Sequence, residues 1–246
     1  MAEAADGAES IDAAAGVDSQ CAGSPITRAR KNLAALEALA AAEERGSATA
    51  EEIAAMEAYS GWGGAQKAFS ENAEGEWGEI RDRLKELLSD DEFASQRHTV
   101  LTAFYTPAPV IGAIYDALRE AGIGRGDNPA AILEPGCGTG NFMRLAPADL
   151  ALDFHGVELD PISARIAQAL CPEAHITAAG LEECRVSPAS FDAAIGNVPY
   201  SGDIKIDGMP IHDYFIKKSV EAVRPGGVVA VLTSRYTLDK NSTVAP

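Results

Sequence analysis

The chain carries two different spacings of apolar residues, one in each part. Between residues 28 and about 101, apolar residues recur three or four positions apart, as in Leu33, Leu36 and Leu39, which is the spacing of one helical face. From residue 130 onward, short apolar runs alternate with segments of helical spacing. The pattern therefore predicts a helical region followed by a region in which strands and helices alternate.

The helical region is predicted to hold four helices, over residues 28–45, 49–59, 77–88 and 91–101. Thr49 and Glu52 form a capping box, in which the hydroxyl accepts an amide hydrogen and the carboxylate reaches back to the amide of the cap. Between the second and third helices lies SGWGGAQKAF, residues 60–69. Two interpretations of this segment stay open: a packed turn around Trp62, or a docking or ligand loop.

The later region is predicted to form five strands, over residues 131–134, 154–159, 175–179, 191–197 and 227–233. Helices are predicted from about residue 141 and over residues 161–170, capped by Asp160 and Pro161, and 211–223. This alternation predicts an α/β fold with a Rossmann-like, mostly parallel sheet and helices on both faces. Ligands of such sheets bind at the carboxyl ends of the strands.

Composition divides the chain into three predicted parts. Residues 1–26 are rich in Ala, Gly, Ser and acidic residues, and their first 25 positions contain no Lys or Arg, which predicts a disordered tail. Residues 27–101 form the predicted helical accessory region, and residues 102–246 form the α/β domain.

Charge and cysteine usage exclude several classes of function. The chain has 20 basic and 37 acidic residues, a net charge of −17, which opposes unaided binding to duplex nucleic acid. No metal site is predicted, because the cysteines lack metal-ligand pairing and the four histidines show no ligand spacing. The chain has no apolar run of membrane-spanning length and no signal-peptide pattern, so a cytoplasmic protein without a membrane partner is expected.

A glycine-rich turn follows the first predicted strand, in ILEPGCGTGNF at residues 132–142. Gly136, Gly138 and Gly140 allow a ligand to approach the backbone closely. Glu134 comes directly before this turn, where a carboxylate would oppose a pyrophosphate. An acid there suits a cationic ligand that carries an ammonium group, as S-adenosylmethionine does.

Two more segments fit such a ligand. Glu158, in GVELD, ends the second strand, where a carboxylate can accept both hydroxyls of a ribose. In FYTP, Phe104 and Tyr105 could close over a ligand while Thr106 and nearby amides take a carboxylate.

The fourth predicted strand ends in an unusual way, with IGNVPY at residues 195–200. An amide, a proline and an aromatic ring are poor choices for a core but suit the binding of a flat polar ligand at the edge of the sheet.

In the order FYTP, EPGCGTG and NVPY, these motifs resemble the gamma class of S-adenosylmethionine-dependent amino-methyltransferases of DNA. The resemblance implies a class I methyltransferase sheet that binds S-adenosylmethionine. It implies a cofactor site made of Phe104, Tyr105, Thr106, Glu134, Gly136, Gly138, Asn141, Phe142, Glu158 and Leu159.

The same resemblance implies a catalytic segment, Asn197, Val198, Pro199 and Tyr200. Asn197 and the carbonyl of Val198 would accept hydrogen bonds from the exocyclic amine of a flipped-out adenine, and Tyr200 would stack on the base. Val198 stands where the family usually has proline, a departure that removes part of the stiffness of a Pro-Pro pair.

A closer resemblance covers roughly residues 59–241 and is to the methylase part of large helicase–methyltransferases of plasmids, phages and conjugative elements. It implies a domain that is incomplete after the fifth strand, without the last two strands and the target-recognition region. DNA is therefore expected as a partner only with a recognition region or a partner protein. A second copy or another chain is expected on the open sheet edge.

Two alternatives stay open. Release-factor glutamine methyltransferases and some RNA methyltransferases also carry Asn-Pro-Pro-Tyr, so the acceptor could be RNA or protein. The chain could also be a methyltransferase-like module that binds cofactor or a partner without turnover, including an acidic decoy for a nucleic-acid-binding defence protein.

Overall fold

A computed structural model describes residues 22–99, 106–201 and 203–234 of the protein. Most of the predicted tail, together with Phe104, Tyr105 and residues 235–246, lies outside these ranges. The helices are α1 (Pro25–Arg45), α2 (Ala50–Glu57), α3 (Glu76–Leu87), α4 (Asp90–Thr99), α5 (Ala108–Glu120), α6 (Asn141–Arg144), α7 (Pro161–Leu170) and α8 (Ile211–Ala222), with a 3-10 helix at Gln66–Phe69. The strands are β1 (Ala130–Pro135), β2 (Leu152–Glu158), β3 (His175–Ala178), β4 (Phe191–Asn197), β5 (Lys205–Ile206), β6 (Met209–Pro210) and β7 (Val223–Leu232). None of these helices combines the length and the apolar character that crossing a bilayer requires.

Five strands form one parallel sheet in the order β3-β2-β1-β4-β7. The chain moves outward from β1 to β3, then returns to place β4 on the other side of β1. The strand order therefore reverses between β1 and β4, which opens a crevice at their carboxyl ends. The predicted α/β fold class is confirmed.

Both faces of the sheet are covered, and the strand residues alternate between them. Ile132 packs in the core beneath α5, whereas its neighbour Leu133 packs in the core beneath α8. The central strands β1 and β4 consequently read as largely apolar runs, as expected where a sheet is buried on both sides, whereas β2 and the edge strand β3 carry partly or fully exposed polar residues.

One predicted strand at the end of the sheet has the wrong bounds, and one hairpin was not predicted. The last strand begins at Val223 and not at residue 227, because an irregularity in its pairing with β4 accommodates the Arg224–Gly227 segment. The hairpin of β5 and β6 was not predicted. Asp207 and Gly208 both have positive φ angles, +51° and +79°, which fits the tight Asp-Gly turns that connect two strands.

The helical region packs against α7, whose other side faces the sheet. Ile162 and Ile166 of α7 lie in one core with Trp62 and Leu39. The predicted capping box of Thr49 and Glu52 is present at the start of α2.

Ion pairs reinforce this contact. Arg165 on α7 pairs with Glu43 and Glu92, and Arg144 pairs with Glu57 at 2.7 Å while its side chain is only 5% exposed. The helical region thus reaches the edge of the crevice.

Candidate functional site

A cavity of about 470 Å³ lies at the carboxyl ends of the strands, where the strand order reverses. Its volume falls within the range of small-molecule sites. Of the fourteen residues that the family resemblance assigned to the site, twelve line it: Thr106, Glu134, Gly136, Gly138, Asn141, Phe142, Glu158, Leu159, Asn197, Val198, Pro199 and Tyr200. The other two, Phe104 and Tyr105, lie outside the described residues. Gly140 of the glycine turn does not line it and instead faces Cys171. Four motifs far apart in the sequence therefore meet in one space.

The glycine turn between β1 and α6 forms the floor of the cavity. Gly136, Gly138 and Gly140 have φ angles of +77°, +56° and +79°, a region that side chains other than glycine rarely adopt. A β-carbon added to Gly138 would meet nothing within 4 Å, so this backbone faces open space. The turn leaves room for a ligand against the bare backbone.

Glu134 ends β1 beneath this turn and is 2% exposed. Its Oε2 atom has no hydrogen-bond partner. Burial and the nearby carboxylate of Glu158 raise the pKa of Glu134 well above its usual range. Gly196 of the neighbouring strand makes room for it, because a β-carbon there would lie 3.3 Å from Cγ of Glu134.

Glu158 ends β2 and holds the turn in place. One carboxylate oxygen accepts the amide of Gly138 at 2.8 Å, and the other accepts the amide of Asp160 at 2.8 Å. Burial raises the pKa of Glu158 to about 7, although these two amides oppose the rise. The side chain is half-buried at the cavity wall, so it can accept further donors from a ligand.

The cavity is acidic. Its lining contains the acidic residues Glu134, Glu158, Asp160 and Glu182. Among the described residues of the lining, Lys205 is the one basic side chain. Such a lining favours a cationic ligand over a phosphate. The same preference was predicted from the position of Glu134 before the glycine turn. Thr139 adds a buried hydroxyl without a partner.

These observations fit S-adenosylmethionine. The unpartnered Oε2 atom of Glu134 suits an ammonium group, the bare backbone at Gly138 leaves space for a ligand, and Glu158 suits a pair of hydroxyls. The acidic lining suits the two positive charges of its methionine part.

A variant of Glu158 tests this fit. Glu158→Ala should weaken the binding of S-adenosylhomocysteine by about 1–3 kcal/mol, because the ribose hydroxyls lose a charged acceptor. In the wild type, affinity should fall as the pH drops below 7, because the acceptor becomes protonated there, and this part of the pH dependence should vanish in the variant. Isothermal titration calorimetry between pH 6 and 8 measures both effects.

Glu183→Ala is the matched control, since Glu183 is an exposed acid close in sequence to the lining residue Glu182. It should bind as the wild type does. Equal affinity in the wild type and Glu158→Ala would remove Glu158 from the site.

The segment Asn197–Tyr200 forms a wall of the cavity beside the glycine turn, since a β-carbon added to Gly136 would lie 3.6 Å from Cδ of Pro199. Asn197 is the last residue of β4, directly beside β1, and its neighbours Pro199 and Tyr200 also face the cavity. The amide, the proline and the ring thus lie at the ligand edge of the sheet, where the sequence predicted them.

Val198 has a structural role in the sheet. Its side chain is fully buried, and its N–H donates to the carbonyl of Leu232 at 3.0 Å. This bond extends the β4–β7 pairing by one step beyond Asn197. The β4–β7 pairing therefore restricts the backbone at Val198, as the rings of a Pro-Pro pair would do.

Val198→Pro, although it introduces the residue usual in the methyltransferases that the sequence resembles, should destabilise this protein. Proline has no N–H, so the Leu232 carbonyl would lose its partner, at a cost of about 1–3 kcal/mol in the free energy of unfolding. Urea denaturation of the wild type and the variant measures the difference. Hydrogen exchange gives an independent check: the Val198 amide should be protected, and exchange at the rate of a free amide would show that the bond is absent.

A buried hydrogen-bond network joins the cavity wall to the helical region. Trp62 donates its indole N–H to Oε1 of Gln96 at 2.8 Å, and Tyr59 donates its hydroxyl to the same atom at 2.6 Å. Gln96 in turn donates to Asp160 at 2.6 Å, and the Asp160 amide donates to Glu158. Trp62 is fully buried, so the SGWGGAQKAF segment is a packed turn.

Several residues that line the cavity were not predicted from the sequence. Ala179, Gly180, Leu181 and Glu182 follow β3, and the rule that strand ends share one edge could have found them. Ser95 reaches the cavity through the packing of α4, and Lys205 through the short hairpin. No local signal marks these last two.

One curated protein resembles part of the chain. Over 107 residues, the chain is 33% identical to the Type II methyltransferase M.XamI of Xanthomonas campestris pv. amaranthicola. The match covers 40% of this chain and 19% of that protein, so the chain spans about a fifth of the length of the curated relative it matches. No family model matches the chain.

Solved structures of methyltransferases resemble it in part. One is an S-adenosylmethionine-dependent methyltransferase from Geobacter sulfurreducens in complex with S-adenosylhomocysteine, with 19% identity, a TM-score of 0.37, and coverage of 51% of this chain and 47% of that one. Another is the geranyl diphosphate C-methyltransferase of Streptomyces coelicolor, with 13% identity, a TM-score of 0.36, and coverage of 66% and 50%. Resemblance at this level carries no information about the substrate.

Proposed function

We propose that this chain is an S-adenosylmethionine-dependent N-methyltransferase whose acceptor is adenine N6 in DNA. The observation that carries the proposal is the meeting, in one acidic cavity, of a buried carboxylate with an unpartnered oxygen, a bare glycine turn and the Asn197–Tyr200 segment. The 33% identity to a Type II methyltransferase supports it.

The cofactor half of the cavity is assigned to Glu134, Glu158 and Gly138. Glu134 holds an ammonium group, and its raised pKa means that a bound cation would draw it into the ionised form. Glu158 accepts ribose hydroxyls while still fixing the amide of Gly138. S-adenosylmethionine, when bound, supplies an electrophilic methyl group.

The acceptor half is assigned to Asn197, the Val198 carbonyl and Tyr200. The lone pair of adenine's exocyclic amine is delocalised into the ring. Two groups that accept hydrogen bonds from the amine draw the nitrogen toward a tetrahedral shape and orient it toward the cofactor half of the cavity. Positioning of this kind can contribute on the order of 7 kcal/mol to lowering the barrier. Tyr200 offers an aromatic face for the base, as expected of a flipped-out nucleotide.

Net charge shapes how DNA would be bound. At −17, the chain should repel duplex DNA, so we propose that a recognition region or a partner protein supplies the basic surface. Within the described residues, β7 pairs with β4 along one side only. Its open side is a place where such a partner, or a second copy, could add a strand.

Transfer of a labelled methyl group tests the acceptor. The chain, with a basic partner supplied, is incubated with labelled S-adenosylmethionine and, in separate reactions, with duplex DNA, single-stranded DNA, ribosomal RNA and proteins. The products are digested to nucleosides or amino acids. N6-methyldeoxyadenosine is the expected product. Label in RNA, or on protein glutamine, would move the activity to another acceptor class.

The second candidate function is a module that binds the cofactor or a partner protein without turnover, with an acidic decoy as one form of it. The charge of −17 favours it, because it opposes the nucleic acid that the first proposal requires. Cofactor binding without transfer to any acceptor, even with a basic partner supplied, would favour this second candidate.

A further inference from the structure

Three potential metal ligands lie together away from the cavity. Asp153 and His155 stand two residues apart on β2, so their side chains share one face of the sheet. The parallel register places His175 of β3 directly beside His155. His155 lies three residues before Glu158, about 10 Å along the strand from the carboxyl end that holds the cavity.

The separations of the ligand atoms suit a small transition-metal ion. Nε2 of His155 lies 3.3 Å from one carboxylate oxygen of Asp153, and Nε2 of His175 lies 3.5 Å from the other. Ligand atoms at tetrahedral zinc, with bonds of 2.0–2.1 Å, lie about 3.3–3.4 Å from one another. If one ligand atom is taken from each of the three side chains, these atoms all lie within 4.8 Å of one another. A small rotation of the exposed His175 brings its nitrogen within bonding distance of an ion held by the other two side chains.

Neighbouring rings pack against His155, while the space between the three ligands remains accessible to solvent. The ring of Phe191 meets His155 edge-to-face at 5.3 Å, and the rings of the two histidines are 4.8 Å apart. The side chains of Asp153, His155 and His175 are 42%, 38% and 66% exposed, so an ion can enter from solvent.

We propose that Asp153, His155 and His175 form a binding site for a divalent transition-metal ion, with Zn²⁺ as the reference ion. Two imidazoles and one carboxylate select ions such as Zn²⁺ or Ni²⁺ over Mg²⁺ and Ca²⁺. The ion joins β3, which pairs only with β2 within the described sheet, to its neighbour. The site is separate from the cavity and does not depend on the function proposed for it.

Calorimetric titration of the tag-free full chain with Zn²⁺, in a background of millimolar Mg²⁺, tests the site. We expect one ion bound per chain and a higher melting temperature with Zn²⁺. His175→Ala and Asp153→Asn should each weaken binding at least about tenfold, since loss even of an outer partner of a ligand costs 10–100-fold. His175 is largely exposed, so its removal should leave the fold of the metal-free chain unchanged, which its melting temperature verifies.

Two control variants guard against other ligands. Glu173→Gln removes an exposed carboxylate near β3, and Cys184→Ser removes a partly exposed thiol; both should bind Zn²⁺ as the wild type does. Imidazole NMR signals of His155 and His175 should shift together on addition of Zn²⁺. Binding that is unchanged in His175→Ala, or that is lost in Cys184→Ser, would overturn the proposal.

Discussion

Replacing Asn197 by alanine should lower the rate of methyl transfer by about 10²–10³-fold while leaving cofactor binding nearly intact. Asn197 lines the cavity at the end of β4, beside the glycine turn. Its loss removes one of two acceptors proposed to orient the amine. Removal of one such positioning group typically lowers kcat by about 10²–10³-fold. Single-turnover transfer to DNA, measured beside calorimetric titration with S-adenosylhomocysteine, separates the two effects.

Asn197→Asp is the informative companion variant. It keeps an oxygen acceptor and nearly the same shape, so it should retain more activity than the alanine variant. Wild-type turnover in Asn197→Ala would show that the NVPY segment is only the end of a strand. A parallel loss of cofactor affinity would instead place Asn197 in the cofactor half of the cavity.

Replacing Trp62 by alanine should lower the free energy of unfolding by about 3–5 kcal/mol, the usual cost of emptying a large buried aromatic site. Trp62 is fully buried in the core that joins the helical region to α7, and its ring meets Phe69 edge-to-face at 5.1 Å. The variant also takes one donor from Gln96, which bonds to Asp160 beside Glu158. Urea denaturation measures the loss.

The only other tryptophan in the sequence, Trp77, provides a matched control, because it is only partly buried. Trp77→Ala should cost less than Trp62→Ala. Trp62→Phe, which keeps most of the ring but lacks the N–H, should fall between the wild type and Trp62→Ala. An unchanged unfolding free energy in Trp62→Ala would contradict the packed turn and revive the docking-loop interpretation.

The sequence predicted most of the sheet because the relevant signals are local. An apolar run such as Ala131–Leu133, followed by glycines and a helical pattern, marks a strand, a turn and a helix without knowledge of the rest of the chain. The convergence of Glu134, Glu158 and Asn197 then follows from topology, since parallel strands bring their carboxyl ends to one edge.

What could not be predicted depends on contacts between distant segments. The use of the Val198 amide requires the register of β4 against β7, and the grouping of His155 with His175 requires the register of β2 against β3. Gln96 reaches Asp160 only because α4 packs against α7. The same packing buries Trp62, whose segment the sequence left open between a packed turn and a docking or ligand loop.

The most direct test of the central claim is a crystal structure of the chain with S-adenosylhomocysteine. We expect the ligand to lie on the Gly136–Gly140 turn, with its ribose at Glu158 and its ammonium group toward Glu134. A ligand bound elsewhere on the molecule, or a cavity that stays empty at saturating ligand, would contradict the claim.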